Sequence, residues 1–270
     1  MLGKLLKYEM KAGLRLFPII YLAGVLFFLL GLLAKTLHIN QILTTAVVML
    51  AIAAAASAIS VIIFTIVRFF KGMFGAEGYL TQTLPVSKGS LLASRTIAAY
   101  VWMLIGVAMA LLGVVGILYL VAPEMLNREI LRTLFSDANR PILFYVGAAL
   151  LLQLLAVIGE LYFAMTLANT RSFLRNNALF SVLFYFGLNT VVGLLEVAAV
   201  LLIPFGMRLN GHGAEIRFEP MLSGLDFSGQ AQGLVDTVTF GFGVMIVDLI
   251  VGVGLLLLTR WLLERKVSIK

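Results

Sequence analysis

Six long apolar runs, separated by shorter polar segments, dominate the pattern of the chain. Each run is close to or longer than the roughly 20 residues that a helix needs to cross about 30 Å of hydrocarbon. The runs lack the strict alternation of apolar and polar residues that marks a membrane β-strand. The pattern therefore predicts an all-α integral membrane protein, with residues 1–270 forming a single transmembrane domain. The predicted spans are residues 17–34, 42–67, 97–121, 142–167, 179–203 and 238–258.

Residues 1–15 have a different, amphipathic pattern. Apolar side chains recur there at helical spacing, and Lys4, Lys7 and Lys11 lie off that stripe. This pattern predicts an interfacial elbow helix that lies along the membrane with its lysines among the headgroups. A cleaved signal peptide is the alternative, but the next apolar run is long and no small-residue cleavage site follows it. We therefore expect a retained helix. The apolar stripe consists of Leu2, Leu5, Leu6, Met10 and Leu14.

Composition supports the membrane class. Apolar residues make up 61% of the 270 residues and charged residues 12%, whereas soluble domains have roughly 45–50% and 25%. A formal net charge of +7 could indicate nucleic-acid binding. The basic residues flank the apolar runs instead, as in membrane proteins, so no nucleic-acid partner is expected. The chain has no cysteine, which excludes disulfides and thiolate metal sites.

The basic residues predict the orientation in the membrane. If the spans alternate in direction, 14 lysines and arginines fall on one side and 6 on the other. The richer side is cytoplasmic by the positive-inside rule. Both termini and the loop at residues 68–87 are then cytoplasmic, and the loop at residues 204–237 is extracellular.

The loop at residues 68–87 is too polar to cross a bilayer. Gly75 interrupts the backbone, Pro85 ends any helix before it, and Ser87 suits the N-cap of the next helix. A short amphipathic piece remains between these breaks, from Glu77 to Leu84. Such a piece, held between two spans, is typical of a surface for a partner protein.

Two sequence motifs in this loop carry a family resemblance. The run Glu77-Gly78-Tyr79-Leu80 followed by Thr83-Leu84-Pro85-Val86-Ser87 resembles the first cytoplasmic loop of bacterial ABC-2-type transporter permeases. The layout of the whole chain is also similar to theirs. In that family the loop carries a coupling helix that docks on a separate ATP-binding subunit. The resemblance assigns this role to Glu77, Gly78, Tyr79, Leu80, Thr83, Leu84 and Pro85.

The resemblance implies the membrane-spanning subunit of an ATP-driven exporter in a bacterial cytoplasmic membrane. Its expected partners are the lipid bilayer, an ATP-binding subunit and a second permease, identical or related. The expected substrate is hydrophobic or amphipathic, such as a drug, a peptide or a lipid. The segment at residues 204–237 is implied to carry brief outer helices that cap the exit of the pathway, and the pattern of Ala122–Pro141 predicts an amphipathic helix on the same side.

No Gly-x-x-x-x-Gly-Lys-Ser/Thr motif occurs in the chain, so the loop that cradles ATP phosphates is missing. The chain is therefore not expected to be an enzyme or to hold a cofactor, and ATP and Mg²⁺ are expected on the partner ATPase. No His/Glu cluster at helical spacing predicts a metal site. A membrane hydrolase is disfavoured because His38 and His212 both fall in connections, away from any serine on a span.

Three carboxylates fall inside predicted spans: Glu160, Glu196 and Asp248. An ionisable group in hydrocarbon is costly, so each should face protein or water. One interpretation is a proton or cation relay, which would make the chain an ion-coupled secondary transporter. The other is hydrogen bonding between helices, with Asn189, Thr190 or Gln153 as partners. A non-transporting membrane scaffold or regulator is a third functional alternative.

Overall fold

The computed structural model describes residues 2–75, 78, 86–137, 139–170, 176–203, 205–210, 213–217 and 238–265. Most of these residues are helical, and six of the described helices are long and apolar enough to cross a membrane. The helices are α1 (Leu2–Gly13), α2 (Phe17–Thr36), α3 (Asn40–Met73), α4 (Lys88–Val121), α5 (Arg128–Leu134), α6 (Arg140–Ala168), α7 (Asn177–Leu202) and α8 (Gly243–Arg265).

The six long helices confirm the prediction of a multi-pass, predominantly helical membrane protein. Each overlaps one of the predicted apolar runs. Their surfaces expose large apolar side chains, for example Phe144 and Leu202, which are 79% and 75% exposed. Contiguous apolar surface of this kind is unfavourable in water and suits contact with lipid.

Helices α3 and α4 are longer than the apolar runs inside them. Each contains 34 residues, which corresponds to about 51 Å of helix, whereas the hydrocarbon layer is roughly 30 Å thick. Ser87 is the N-cap of α4, as predicted, and its hydroxyl accepts a hydrogen bond of 3.3 Å from the backbone N–H of Ser90. The excess length extends both helices toward the segment that links them.

Residues 1–131 form the first of two compact units. Within it, α3 packs against α2 and α4, and α1 packs against α4. The ring of Phe17, which is fully buried, contacts the rings of Phe64 and Trp102 at centroid distances of 5.0 and 4.6 Å. At the other end of α2, Lys35 Nζ donates hydrogen bonds of 2.7 and 3.1 Å to the last carbonyls of α4, where a positive charge is favourable.

Residues 132–268 form the second unit. Within it, α8 packs against both α6 and α7. Helices α6 and α8 approach closely because two glycines face each other: a Cβ atom added to Gly159 would lie 3.0 Å from the carbonyl oxygen of Gly252. Small residues let the backbones of membrane helices come together in this way.

The second unit also contains a small antiparallel sheet, so the fold is not wholly helical. Its strands β1 (Gly206–Asn210), β2 (Gly213–Arg217) and β3 (Val238–Gly241) lie in the order β2–β1–β3. The brief helices expected in residues 204–237 are therefore replaced by strands where this segment is described. Residues 218–237 lie outside the described part.

The predicted start of the last span, at residue 238, is wrong. Residues 238–241 pair with β1, and Val238 lies opposite Leu209 in that register. Val, Thr and Phe at these positions favour a strand, and helix α8 starts only at Gly243.

The connection between α4 and α6 also differs from its prediction. Ala122–Pro141 was expected to form an amphipathic helix, but Pro123–Leu126 is one 3₁₀ turn and α5 has only seven residues. Proline suits the first turn of a helix, and Pro141 accordingly stands at the start of α6.

Candidate functional site

The segment that resembles a coupling helix lies almost entirely outside the described residues. This applies to Glu77, Tyr79, Leu80, Thr83, Leu84 and Pro85. Gly78 is described, and its backbone N–H donates a hydrogen bond of 2.8 Å to the carbonyl oxygen of Gly75. The site is therefore described through the helix ends that flank the segment, the C-terminal end of α3 and the N-terminal part of α4.

Arg95 joins these two helix ends. Its guanidinium, in α4, donates hydrogen bonds to the carbonyl oxygens of Gly72 and Phe69 in the last turn of α3, at 2.9 and 3.4 Å. The residue is only 4% exposed. Carbonyl groups at a helix C-terminus carry partial negative charge and lack partners within the helix, so a buried arginine stabilises this end of α3.

Glu9 adds α1 to the same junction. Its carboxylate accepts a hydrogen bond of 2.8 Å from Arg68 Nε in α3 and lies 3.5 Å from Arg95 Nε in α4. Three helices are thus held together by charged groups beside the linking segment. We call Glu9, Arg68, Gly72 and Arg95 the basal junction.

Sequence reasoning missed the basal junction. Glu9 is separated from Arg68 by 59 positions, and no local pattern brings the two together. One signal was available, because Glu9 is the only acidic residue among the first 15 and its neighbours are basic. An acid at such a position is a candidate for pairing with a basic residue of another helix.

The three predicted intramembrane carboxylates come together in the second unit. Glu160 of α6 is 1% exposed, and its Oε2 accepts a hydrogen bond of 3.2 Å from Asn189 Nδ2 of α7. This confirms Asn189 as one of the predicted partners. Glu196, also on α7, and Asp248, on α8, lie within electrostatic reach of Glu160. We call Glu160, Glu196 and Asp248 the carboxylate cluster.

Asp248 is the least satisfied member of the carboxylate cluster. The residue is 0% exposed. Its carboxyl group lies within hydrogen-bonding reach of Glu196, but two ionised carboxylates have no proton to share, and among the described residues neither oxygen of Asp248 receives a hydrogen bond. Its electrostatic neighbours are the two other acids. Among the described residues, no group of three or more histidines, aspartates or glutamates could hold a metal ion.

The first unit contains an apolar cavity of about 430 Å³ between α2, α3 and α4. Its walls are almost wholly aliphatic and aromatic, and they include Phe28, Leu50 and Met109. The hydroxyl of Tyr21 at this cavity is buried without a hydrogen-bond partner among the described residues. An apolar pocket of a few hundred Å³ with few polar groups is typical of a site for a small, largely apolar ligand.

Comparison with known proteins adds no identification. No model of a protein family, no curated protein and no solved structure matches the chain.

Proposed function

We propose that this chain is the membrane-spanning subunit of an ATP-driven exporter in a bacterial cytoplasmic membrane. In this proposal α1 lies along the cytoplasmic surface and both termini are cytoplasmic. Two permease chains pair, and each binds one separate ATP-binding subunit that carries ATP and Mg²⁺. The proposal combines the family resemblance of residues 77–87 with six membrane-spanning helices and the absence of an ATP-binding motif in the sequence.

The basal junction is the observation that carries this proposal. A coupling segment works only if a push on it moves whole helices rather than a loose loop. Residues 74–87 link α3 to α4 in the sequence, and Arg95 of α4 is hydrogen-bonded to the end of α3. Because Glu9 contacts both arginines, α1 would move with them as one body.

The apolar cavity of the first unit supports the expected class of substrate. Its lining offers dispersion contacts and the buried hydroxyl of Tyr21, which has no hydrogen-bond partner among the described residues. This chemistry suits a hydrophobic or amphipathic compound with a single hydrogen-bonding group. The cavity lies between α2, α3 and α4, so movement of the basal junction would change its shape.

The test targets the apolar face of the coupling segment. Tyr79→Ala combined with Leu80→Ala should release the ATP-binding subunit or uncouple its hydrolysis from transport, because buried aromatic and aliphatic anchors dominate small interfaces. The full chain is purified from its native membrane with its bound partners. ATP hydrolysis and its stimulation by substrate are then measured in reconstituted vesicles.

Phe135→Ala is the control, since it removes a large aromatic side chain that is 71% exposed from a connection expected on the opposite side. The proposal fails if no ATP-hydrolysing subunit accompanies the parent chain. It also fails if the double variant binds and couples like the parent.

The carboxylate cluster favours a second function, an ion-coupled secondary transporter. Buried acids inside spans commonly mark ion pathways. Transport that depends on an ion gradient and proceeds without ATP would support this function over the first. A chain that shows neither form of coupling would be a membrane scaffold.

A further inference from the structure

Asp248 is a buried carboxyl group to which the proposed exporter function assigns no role. Its side chain is completely buried in the second unit, and no described group donates a hydrogen bond to either oxygen. A carboxylate ion in this position would lack both water and a compensating partner. Such burial of an unpaired charge is among the most unfavourable arrangements in a protein.

The neighbouring acidic residues make an ionised Asp248 still less favourable. Glu160 approaches from α6 and Glu196 from α7, and Tyr185 of α7 lies within electrostatic reach of Glu160. No lysine, arginine or histidine occurs in residues 142–168, 177–202 or 243–258. The spanning parts of the helices packed around Asp248 therefore contribute further acids and no positive charge; their arginines, Arg140, Arg260 and Arg265, lie toward the helix ends.

Helix packing fixes the carboxylate cluster in place. Gly159 of α6 touches Gly252 of α8, and Asp248 lies one helical turn from Gly252 on the same face. At the start of α8, Gly243 lies against the backbone of Ala199 in α7, and Ala199 shares a helix face with Glu196. Two close helix contacts thus flank the acids and hold them near one another.

We propose that the carboxylate cluster is an intramembrane proton-binding site, in which Asp248 and Glu196 hold one proton in common. Asp248 keeps the proton and donates a hydrogen bond to the Glu196 carboxylate, so the fully buried Asp248 is neutral, one of its oxygens gains a partner, and the remaining negative charge lies on Glu196. Glu196 is the less buried of the pair and is the point at which the proton exchanges. Glu160, held by Asn189, is the neighbouring acceptor.

A proton fits this site better than a metal ion. The described part of the chain contains no group of three ligating side chains arranged to hold a metal, and the buried oxygens of Asp248 lack the further oxygen ligands that a hard cation requires. A proton needs only two carboxyl oxygens within hydrogen-bonding distance. The inference does not depend on whether ATP or an ion gradient drives transport.

Dicyclohexylcarbodiimide tests the proposal, because this apolar reagent attaches to protonated carboxyl groups in membranes. The full chain in lipid nanodiscs is treated at neutral pH, and the labelled residue is located by peptide mass spectrometry. We expect labelling at Asp248 or Glu196. Asp248→Asn combined with Glu196→Gln should lose that label, whereas Glu124→Gln, which changes an exposed acid outside the spans, should keep it.

Infrared difference spectroscopy between acidic and alkaline buffers provides the second readout. A protonated carboxyl band from an apolar environment should be present in the parent and absent in Asp248→Asn. Should one variant fold poorly, Glu196→Gln alone serves the same comparison. The proposal is overturned if both label and band are missing from the parent. Protection from labelling by sodium chloride but not by choline chloride would also overturn it, in favour of an alkali cation.

Discussion

Arg95 of α4 donates a hydrogen bond of 2.9 Å from Nη2 to the carbonyl oxygen of Gly72 in α3. The contact exists because residue 72 has no side chain: a Cβ atom added there would collide with the guanidinium. The arginine therefore occupies the space of the missing side chain and binds the backbone directly. This relationship makes a small residue and a buried charge depend on each other.

Gly72→Ala should weaken the basal junction. The methyl group displaces the guanidinium, and a buried donor that loses its acceptor costs about 1–3 kcal/mol. We expect a lower midpoint of thermal unfolding for the purified protein in detergent. Gly147→Ala is the matched control, because nothing lies within 4 Å of a Cβ atom at that position and alanine favours the helix by about 0.5–1 kcal/mol. Equal unfolding midpoints for the two variants would contradict the packing described here.

Glu9→Ala should destabilise the protein more than Arg68→Ala. Arg68 is 33% exposed at its side chain and can turn to water, whereas Arg95 is buried and would lose a charged partner. We expect a loss of about 1–3 kcal/mol for Glu9→Ala and at most about 1 kcal/mol for Arg68→Ala. Denaturant unfolding in mixed micelles measures both.

Glu264→Ala is the reference for that comparison. It breaks an exposed pair with Arg260 within one helix, at 2.9 Å, close to the 2.8 Å between Glu9 and Arg68, and pairs of this kind contribute about 0.3–0.5 kcal/mol. If Glu9→Ala is no more harmful than Glu264→Ala, the basal junction is not an energetic link between α1 and the long helices.

The sequence predicts the parts of the fold that local physics decides. Apolar length alone identifies the six spans, and the N-cap preference of serine correctly marks the start of α4 at Ser87. The start of α8 was misplaced because residues 238–241 pair with β1, which lies about 30 positions earlier. An apolar run cannot indicate by itself whether its first turn joins a helix or a strand.

The candidate sites also divide into those that the local sequence predicts and those that depend on contacts between distant residues. Carboxylates inside spans are visible in the sequence because they violate the composition of their surroundings, and the structure brings Glu160 beside Asn189 as predicted. The basal junction depends on contacts between distant helices and could not be predicted from spacing. The coupling role of residues 77–85 is still a prediction from resemblance.

Gly252 and Gly254 offer a direct comparison within one helix. A Cβ atom at Gly252 would lie 3.1 Å from the backbone nitrogen of Ala156, whereas nothing lies within 4 Å of Gly254. Because a backbone atom cannot turn aside, Gly252→Ala should separate α6 from α8 and destabilise the protein by about 1–3 kcal/mol. Gly254→Ala should leave stability unchanged or slightly raised. Thermal unfolding of both variants decides the matter, and equal behaviour would rule out close packing at this contact.

The orientation of the chain can be tested with single cysteines, because the natural sequence contains none. The excess of lysine and arginine on one side, 14 against 6, predicts that α1 faces the cytoplasm and the turn at Pro123–Leu126 faces outward. Gly3→Cys places a thiol on an exposed position of α1 with nothing within 4 Å, and Glu124→Cys places one on the exposed turn.

A membrane-impermeant maleimide should label Glu124→Cys in intact cells and Gly3→Cys only after the cells are permeabilised. Equal labelling of both variants after permeabilisation shows that each thiol is reactive. If Gly3→Cys is labelled from outside intact cells, the orientation is reversed, and the segment at residues 77–85 cannot meet a cytoplasmic ATPase.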